Sequence, residues 1–316
     1  MAPPIQFFKL ANNYRYHLVE EIGRSCKLEI GTFCISIDLE LAWGNWDQLS
    51  PEYLRRCQLL DRPIVERLTQ LFDRYGISAT WAITGHLLQK RQSDSLPSQT
   101  AWYAPDIIDQ ICKTSTPQEI GSHSFAHICY QDADAKSVYA DIQAAKNIHN
   151  KHDLQFSSFV YPRDLVGHTD LLNQFGIIVY RSMDVSWYVG ARRIGSSIYR
   201  ILSLIDKLLP IPPTVVLPIV HQNGIIELPC SMLLIGRNGL RRFIHPKVLT
   251  MKVKFGLNSA ISKNALFHLR FHPSNFHYQT ESQFEVLENI LIYANQLRDK
   301  NAINICTMGA FENLVA

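Results

Sequence analysis

Two hydrophobic rhythms alternate along the chain from residue 28 onward. Runs of β-branched and aromatic residues bounded by turn formers predict strands at Leu28–Leu41, Ile77–Ile83, Phe156–Tyr161 and Ile177–Tyr180. The same pattern recurs at Thr214–Val220, Ile225–Leu228, Ala265–Phe271 and Ala302–Thr307. Between the first two, Ser50-Pro51-Glu52 opens a helix, with Ser as N-cap, Pro at the first helical position and an acid in the first turn. Leu54, Cys57, Leu60, Ile64, Leu68 and Leu71 keep helical spacing, and Gly76 is placed to end the helix. Further helices are predicted at Asp134–Asn150, Thr169–Phe175 and Gln283–Lys300, the last with Thr280 and Gln283 at capping-box spacing.

Strand–helix alternation of this kind argues for a parallel α/β sheet or barrel. Residues 84–118 and 182–213 are the least regular and read as insertions in one domain, which spans 26–316 after an N-terminal extension at 1–25. Neither G-x-G-x-x-G nor a Walker A sequence occurs, which removes the main support for nucleotide-binding folds. In the first strand Phe33, Ile35, Ile37, Leu39 and Leu41 share one face, while Cys34, Ser36, Asp38 and Glu40 share the other. The late strand repeats this, with Ala265, Phe267, Leu269 and Phe271 alternating with His268, Arg270 and His272. Two such strands fit a barrel whose outer face meets helices and whose mouth holds chemistry. An antiparallel sheet with one wet face is the simpler alternative for either strand alone.

Composition narrows the class. With 316 residues, 47% hydrophobic and 19% charged, the chain is neither disordered nor fibrous. A formal charge of +3 gives no reason to expect nucleic acid. Seven cysteines without C-x-x-C spacing suit a reducing compartment. The N-terminal segment lacks the pattern of a secretory signal, and the apolar stretches fall short of the ~20 residues of a membrane helix. The expectation is a cytoplasmic protein with a small-molecule or carbohydrate substrate and no nucleic-acid or membrane partner; a homo-oligomer is compatible with it.

Among twelve histidines, His123 and His127 stand four apart in Gly121-Ser-His-Ser-Phe-Ala-His. On a helical turn that spacing places both imidazoles on one face, where a carboxylate from elsewhere would complete a divalent-metal site. The basic stretch Arg237, Arg241, Arg242, His245 and Lys247 reads as a solvated face, with an anionic substrate as the sharper alternative.

The order Ser36-Ile-Asp38-Leu-Glu40, Ala79-Thr-Trp-Ala-Ile-Thr-Gly85, Gly121-Ser-His123-Ser-Phe-Ala-His127, Tyr161-Pro162-Arg163, His272-Pro273 and Thr307-Met308-Gly309 resembles the polysaccharide deacetylase family. This is the NodB-like group of carbohydrate esterase family four with its allantoinase-like relatives, and the resemblance covers roughly residues 30 to 310. It implies a deformed (β/α) barrel and a hydrolase that removes an acetyl or formyl group from an amino sugar, using a divalent metal, by preference zinc. It further implies Asp38 as catalytic base, Arg163 as its partner and His272 as general acid. His123 and His127 become metal ligands, joined by Glu40, because Leu39 occupies the place where many members have an acid. Trp43, Tyr161 and Glu227 are the expected substrate contacts. An allantoinase-like amidohydrolase acting on a non-sugar C–N bond, with or without metal, is one alternative. A catalytically silent barrel that binds sugar or protein is another.

Overall fold

The computed structural model describes residues 23–90, 97–193 and 195–315, so most of the expected N-terminal extension lies outside the described residues. One curled sheet contains β1 (Arg24–Ser25), β2 (Thr32–Leu39), β3 (Thr80–Ile83), β4 (Glu119–Ser122), β5 (Ser158–Val160) and β6 (Val179–Asp184). It continues through β7 (Ile219–Val220), β8 (Ile226–Cys230), β9 (Met232–Leu233), β10 (Leu266–Phe271) and β11 (Asn304–Cys306). The strand order is β1-β7-β8-β6-β5-β4-β3-β2-β10-β9, with β11 paired to β2. Every pairing from β8 round to β9 is parallel, and the two pairings of β7 are antiparallel. After β8 the chain crosses to β10, where the Ser231 N–H donates to the His268 carbonyl at 2.9 Å. This nearly closes the curl into the deformed (β/α) barrel that strand–helix alternation predicts.

The helices are α1 (Pro51–Tyr75), α2 (Pro105–Cys112), α3 (Ala135–Lys151), α4 (Thr169–Gln174), α5 (Ser196–Leu208), α6 (Pro246–Lys263), α7 (Thr280–Asp299) and α8 (Phe311–Leu314). Outward-facing Phe33, Ile35, Ile37, Phe267 and Leu269 pack against Leu68 and Phe72 of α1, Val253 of α6 and Leu287 of α7. Each such side chain contributes about 1.5–3 kcal/mol by leaving water. Inside the barrel Cys34, Ala82, Val160, Leu228 and Leu266 fill the lower half. Both faces of β2 and β10 are therefore buried, which excludes the wet-faced sheet.

Local chemistry explains most element ends. Ser50 Oγ accepts from the Tyr53 N–H at 3.1 Å, and Gly76 ends α1 at φ 56°. The anticipated capping box at α7 does not form. Gln279 precedes the helix at φ 51°, and Gln283 is buried, donating to the Ile235 carbonyl and accepting from Arg237 Nε at 3.1 Å. Its amide is committed to satisfying a buried guanidinium. The expected strand Thr214–Val220 shortens to β7, because Pro218 has no N–H to donate to a ladder, and before it Val216 makes only an isolated antiparallel bridge with Leu266. The irregular segments contain helices, α2 within 84–118 and α5 within 182–213. Helix α6 escapes a periodicity reading because Gly256 interrupts it, yet a Cβ there would overlap the Phe267 ring.

Helix α3 carries a pH-sensitive buried group. His149 is fully buried and burial lowers its pKa to about 4. The folded state thus keeps it neutral, whereas the unfolded chain takes up its proton near pH 6.5. Stability from this residue is complete above about pH 6.5 and is lost as the pH falls toward 4. Urea midpoints should show His149→Gln reducing the pH dependence between pH 4.5 and 6 by about one proton, or about 1.4 kcal/mol per pH unit. An unchanged slope would mean that His149 does not titrate on unfolding.

Candidate active site

The interior faces of β2, β6 and β10 bring ionisable groups together at the C-terminal mouth of the barrel. Asp38, Arg181 and Arg270 point inward because they share parity with Cys34, Val179 and Leu266. Arg181 grips Asp38 with both terminal nitrogens, Nη1 to Oδ1 at 2.6 Å and Nη2 to Oδ2 at 2.7 Å. Its Nη1 also donates to Ser36 Oγ at 2.9 Å, and Nη2 to Asp164 Oδ1 at 3.0 Å. Arg270 spans Asp164 at 2.7 Å and Asp184 at 2.8 Å. Burial alone would raise the Asp38 pKa, but the Arg181 guanidinium outweighs it and holds the carboxyl well below the ordinary range.

Ser36 accepts from Arg181 and so has its own hydroxyl proton free for His268 Nε2, 2.9 Å away. His268 must then be neutral. Burial, followed by the nearby Arg181 charge, lowers its pKa to about 3.

The expected partner of Asp38 requires correction. Arg163 points outward and pairs with Asp47 at 2.6 Å, a half-exposed contact. Arg163 and Asp164 adopt successive positive φ values of 58° and 56°, costing about 1–2 kcal/mol each. The resulting turn sends Arg163 out and swings Asp164 in toward Arg181 and Arg270. Arg181 from the next strand takes the place that sequence order gave to Arg163. Local alternation gave no signal for it: in Val179-Tyr-Arg-Ser-Met-Asp both faces mix apolar and polar residues, and the pairing with β8 shifts register between Arg181 and Asp184.

Beside Asp38, the donor atoms of Glu40, His123 and His127 lie within 4.8 Å of one another. Glu40 Oε2 is 3.2 Å from His123 Nε2 and 2.9 Å from His127 Nε2. Gly44 leaves room for this carboxylate, since a Cβ at that position would overlap it. The histidines do not lie on a helical turn. His123 follows the end of β4, and the loop reaches His127 at φ 55°. The previously unremarked Asp141 of α3 holds this loop, accepting from the Phe125 and Ala126 N–H groups at 2.9 Å each. His123 Nδ1 is 2.8 Å from the Val160 carbonyl, which aims Nε2 at Glu40. Burial opposes the charged form of His123, but Glu40 and Asp38 outweigh it and raise its pKa. Burial would likewise raise the pKa of Glu40, yet His272 and His127 hold it well below the ordinary range. His272 Nε2 stands between the acids, 3.4 Å from Asp38 and 3.6 Å from Glu40.

The three residues fit a divalent cation. Two imidazole nitrogens and one carboxylate oxygen form a donor set suited to zinc. His127 Nδ1 is buried without a hydrogen-bond partner, while the Nε2 atoms converge. A second buried grouping, Cys57, Asp61 and His277, lies elsewhere and includes a His277–Asp61 contact of 2.6 Å tying α1 to the segment after β10.

Two expected substrate contacts also require correction. Tyr161 is wholly buried among Tyr130, Phe159 and Tyr180 on the outer side of β5. Glu227 alternates with inward Ile226 and Leu228, and it pairs outside with His221 and Tyr180 at 3.0 Å each. Strand parity places both away from the mouth. Trp43 remains near it, half-buried and stacked on His86 with ring centroids 4.2 Å apart.

Residues 57–169 match the polysaccharide deacetylase family model, a span that includes His123 and His127. A protein described as a polysaccharide deacetylase from Mycobacterium smegmatis is 14% identical, covering 94% of this chain and 95% of its own, with TM-score 0.63. One from Pseudomonas aeruginosa PAO1 is 12% identical, with 89% and 90% covered and TM-score 0.58. The PuuE allantoinase is 12% identical, with 89% of each chain covered and TM-score 0.56. No curated protein matches the sequence. These structures share the fold of this chain, and the part of it that matches the polysaccharide deacetylase model, residues 57–169, carries the histidine pair at the mouth of the barrel.

Proposed function

We propose that this chain removes an acetyl or formyl group from an amino sugar or related carbohydrate in a metal-dependent reaction. The observation that carries this reading is the convergence of Glu40, His123 and His127 beside an arginine-held Asp38, with His272 in contact with both acids. Glu40, His123 and His127 would hold the cation. When bound there, it supplies Lewis acidity toward the acyl carbonyl and lowers the pKa of water. Asp38 takes the proton from the attacking water, whose oxygen bonds to the acyl carbon. The C–N bond breaks, and His272 gives a proton to the departing amine. Arg181 keeps Asp38 ionised and fixes its orientation. The stacked Trp43 offers an apolar ring face to a sugar.

Metal content tests the first part. Purified protein should carry about one zinc per chain, and His123→Ala or His127→Ala should lose it together with release of acetate or formate from acylated amino sugars. Protein that binds no zinc even after addition overturns the metal assignment.

A further inference from the structure

Helix α5 is amphipathic in the reverse sense. The polar residues of its C-terminal half face the protein: Ser203 is buried, Asp206 pairs with Lys252 at 2.7 Å, and Lys207 donates to Ser203 Oγ at 2.9 Å. Ile201, Leu204, Ile205 and Leu208, spaced three and four apart, form the outward stripe, with Ile201 58% and Leu204 55% exposed. The turn 239–243 lies alongside, since Lys207 of α5 and Arg241 of the turn line one cavity of about 200 Å³. That turn presents Leu240 at 86% exposure and Phe243 at 68%.

Charge singles out the same region. Residues 196–255 hold eight Lys and Arg against two acids, a balance of +6 in a chain of net +3, and six of the eight lie outside the core, Arg237 and Lys252 being buried. The remainder is therefore net negative, at −3. Arg200 on α5 and Arg241 and Arg242 in the turn are exposed beside the apolar residues. Burying this face against a second copy about a twofold axis would oppose like charges. An anionic lipid surface instead meets both demands, taking the Leu, Ile and Phe side chains into its interface and the guanidinium groups at its phosphates.

We infer that α5 and the turn 239–243 form a peripheral docking face for an anionic lipid bilayer, with the leading residues Ile201, Leu204, Leu240 and Phe243 inserted. No helix among the described residues is long and apolar enough to cross a membrane, so the contact is interfacial. It departs from the sequence expectation of no membrane partner and is independent of the catalytic reading.

The test is co-sedimentation of the full chain with vesicles of phosphatidylglycerol and phosphatidylcholine, against vesicles of phosphatidylcholine alone. Binding to the anionic vesicles is expected, and it should weaken as sodium chloride is raised. Arg241→Gln with Arg242→Gln should weaken binding about 25-fold, at about fivefold per charge. Ile201→Asp with Leu204→Asp should abolish it with an unchanged melting temperature, since both side chains are solvent-facing. Equal binding to the two vesicle types, or anionic binding untouched by either double variant, overturns the proposal. So does a dimer in solution that dissociates on Ile201→Asp with Leu204→Asp, or binding that appears only when residues 1–22 are deleted.

Discussion

Asp38→Asn is expected to lower hydrolysis by about 10²–10⁴-fold, the range for loss of a positioned general base, while zinc stays bound. The asparagine keeps the shape but cannot take a proton, and its amide N–H groups meet the donors of Arg181. Glu40, His123 and His127 are unchanged, and Asp164 still pairs with Arg181 at 3.0 Å. Activity against a confirmed acylated amino sugar, measured beside metal content, separates loss of the base from loss of the metal. Full activity in this variant would show that Asp38 is not the base.

Arg181→Met should be the more damaging change for folding. It removes the sole guanidinium bidentate to Asp38 among the described residues, and it leaves the Asp38 carboxylate buried without that partner. Breaking a buried pair in this way costs about 3–5 kcal/mol, because the surviving charge stays desolvated. Arg163→Met, by contrast, breaks a half-exposed contact with Asp47 and should cost less than about 1 kcal/mol. Urea titration of the two variants compares them directly. A larger loss for Arg163→Met would restore the pairing suggested by sequence order. Arg181→Lys is expected to recover only part of the loss, since an ammonium cannot reproduce two parallel bonds.

Much of this site was legible before any coordinates, and the parts that were not share a cause. Strand parity alone placed Asp38 and Glu40 on one side of β2, and His268, Arg270 and His272 on one side of β10. The same parity excludes Tyr161 and Glu227 from the mouth once the limits of β5 and β8 are known, because a side chain alternates with its neighbours whatever its type. Arg163 misleads because it stands next to Asp164 in a turn with two positive φ values, where alternation no longer applies. Asp141 was hidden for another reason: its carboxylate accepts from two backbone N–H groups of the His123–His127 loop, linking it to α3 across more than ten residues of chain.

The sequence by itself determined the alternating elements, the inward ionisable faces and the histidine spacing, because these follow from local periodicity and residue chemistry. Tertiary structure decided which arginine holds Asp38, which carboxylate meets the two histidines and which face of α5 looks outward. Those outcomes depend on how distant strands curl and where a strained turn points, and no local pattern contains that information.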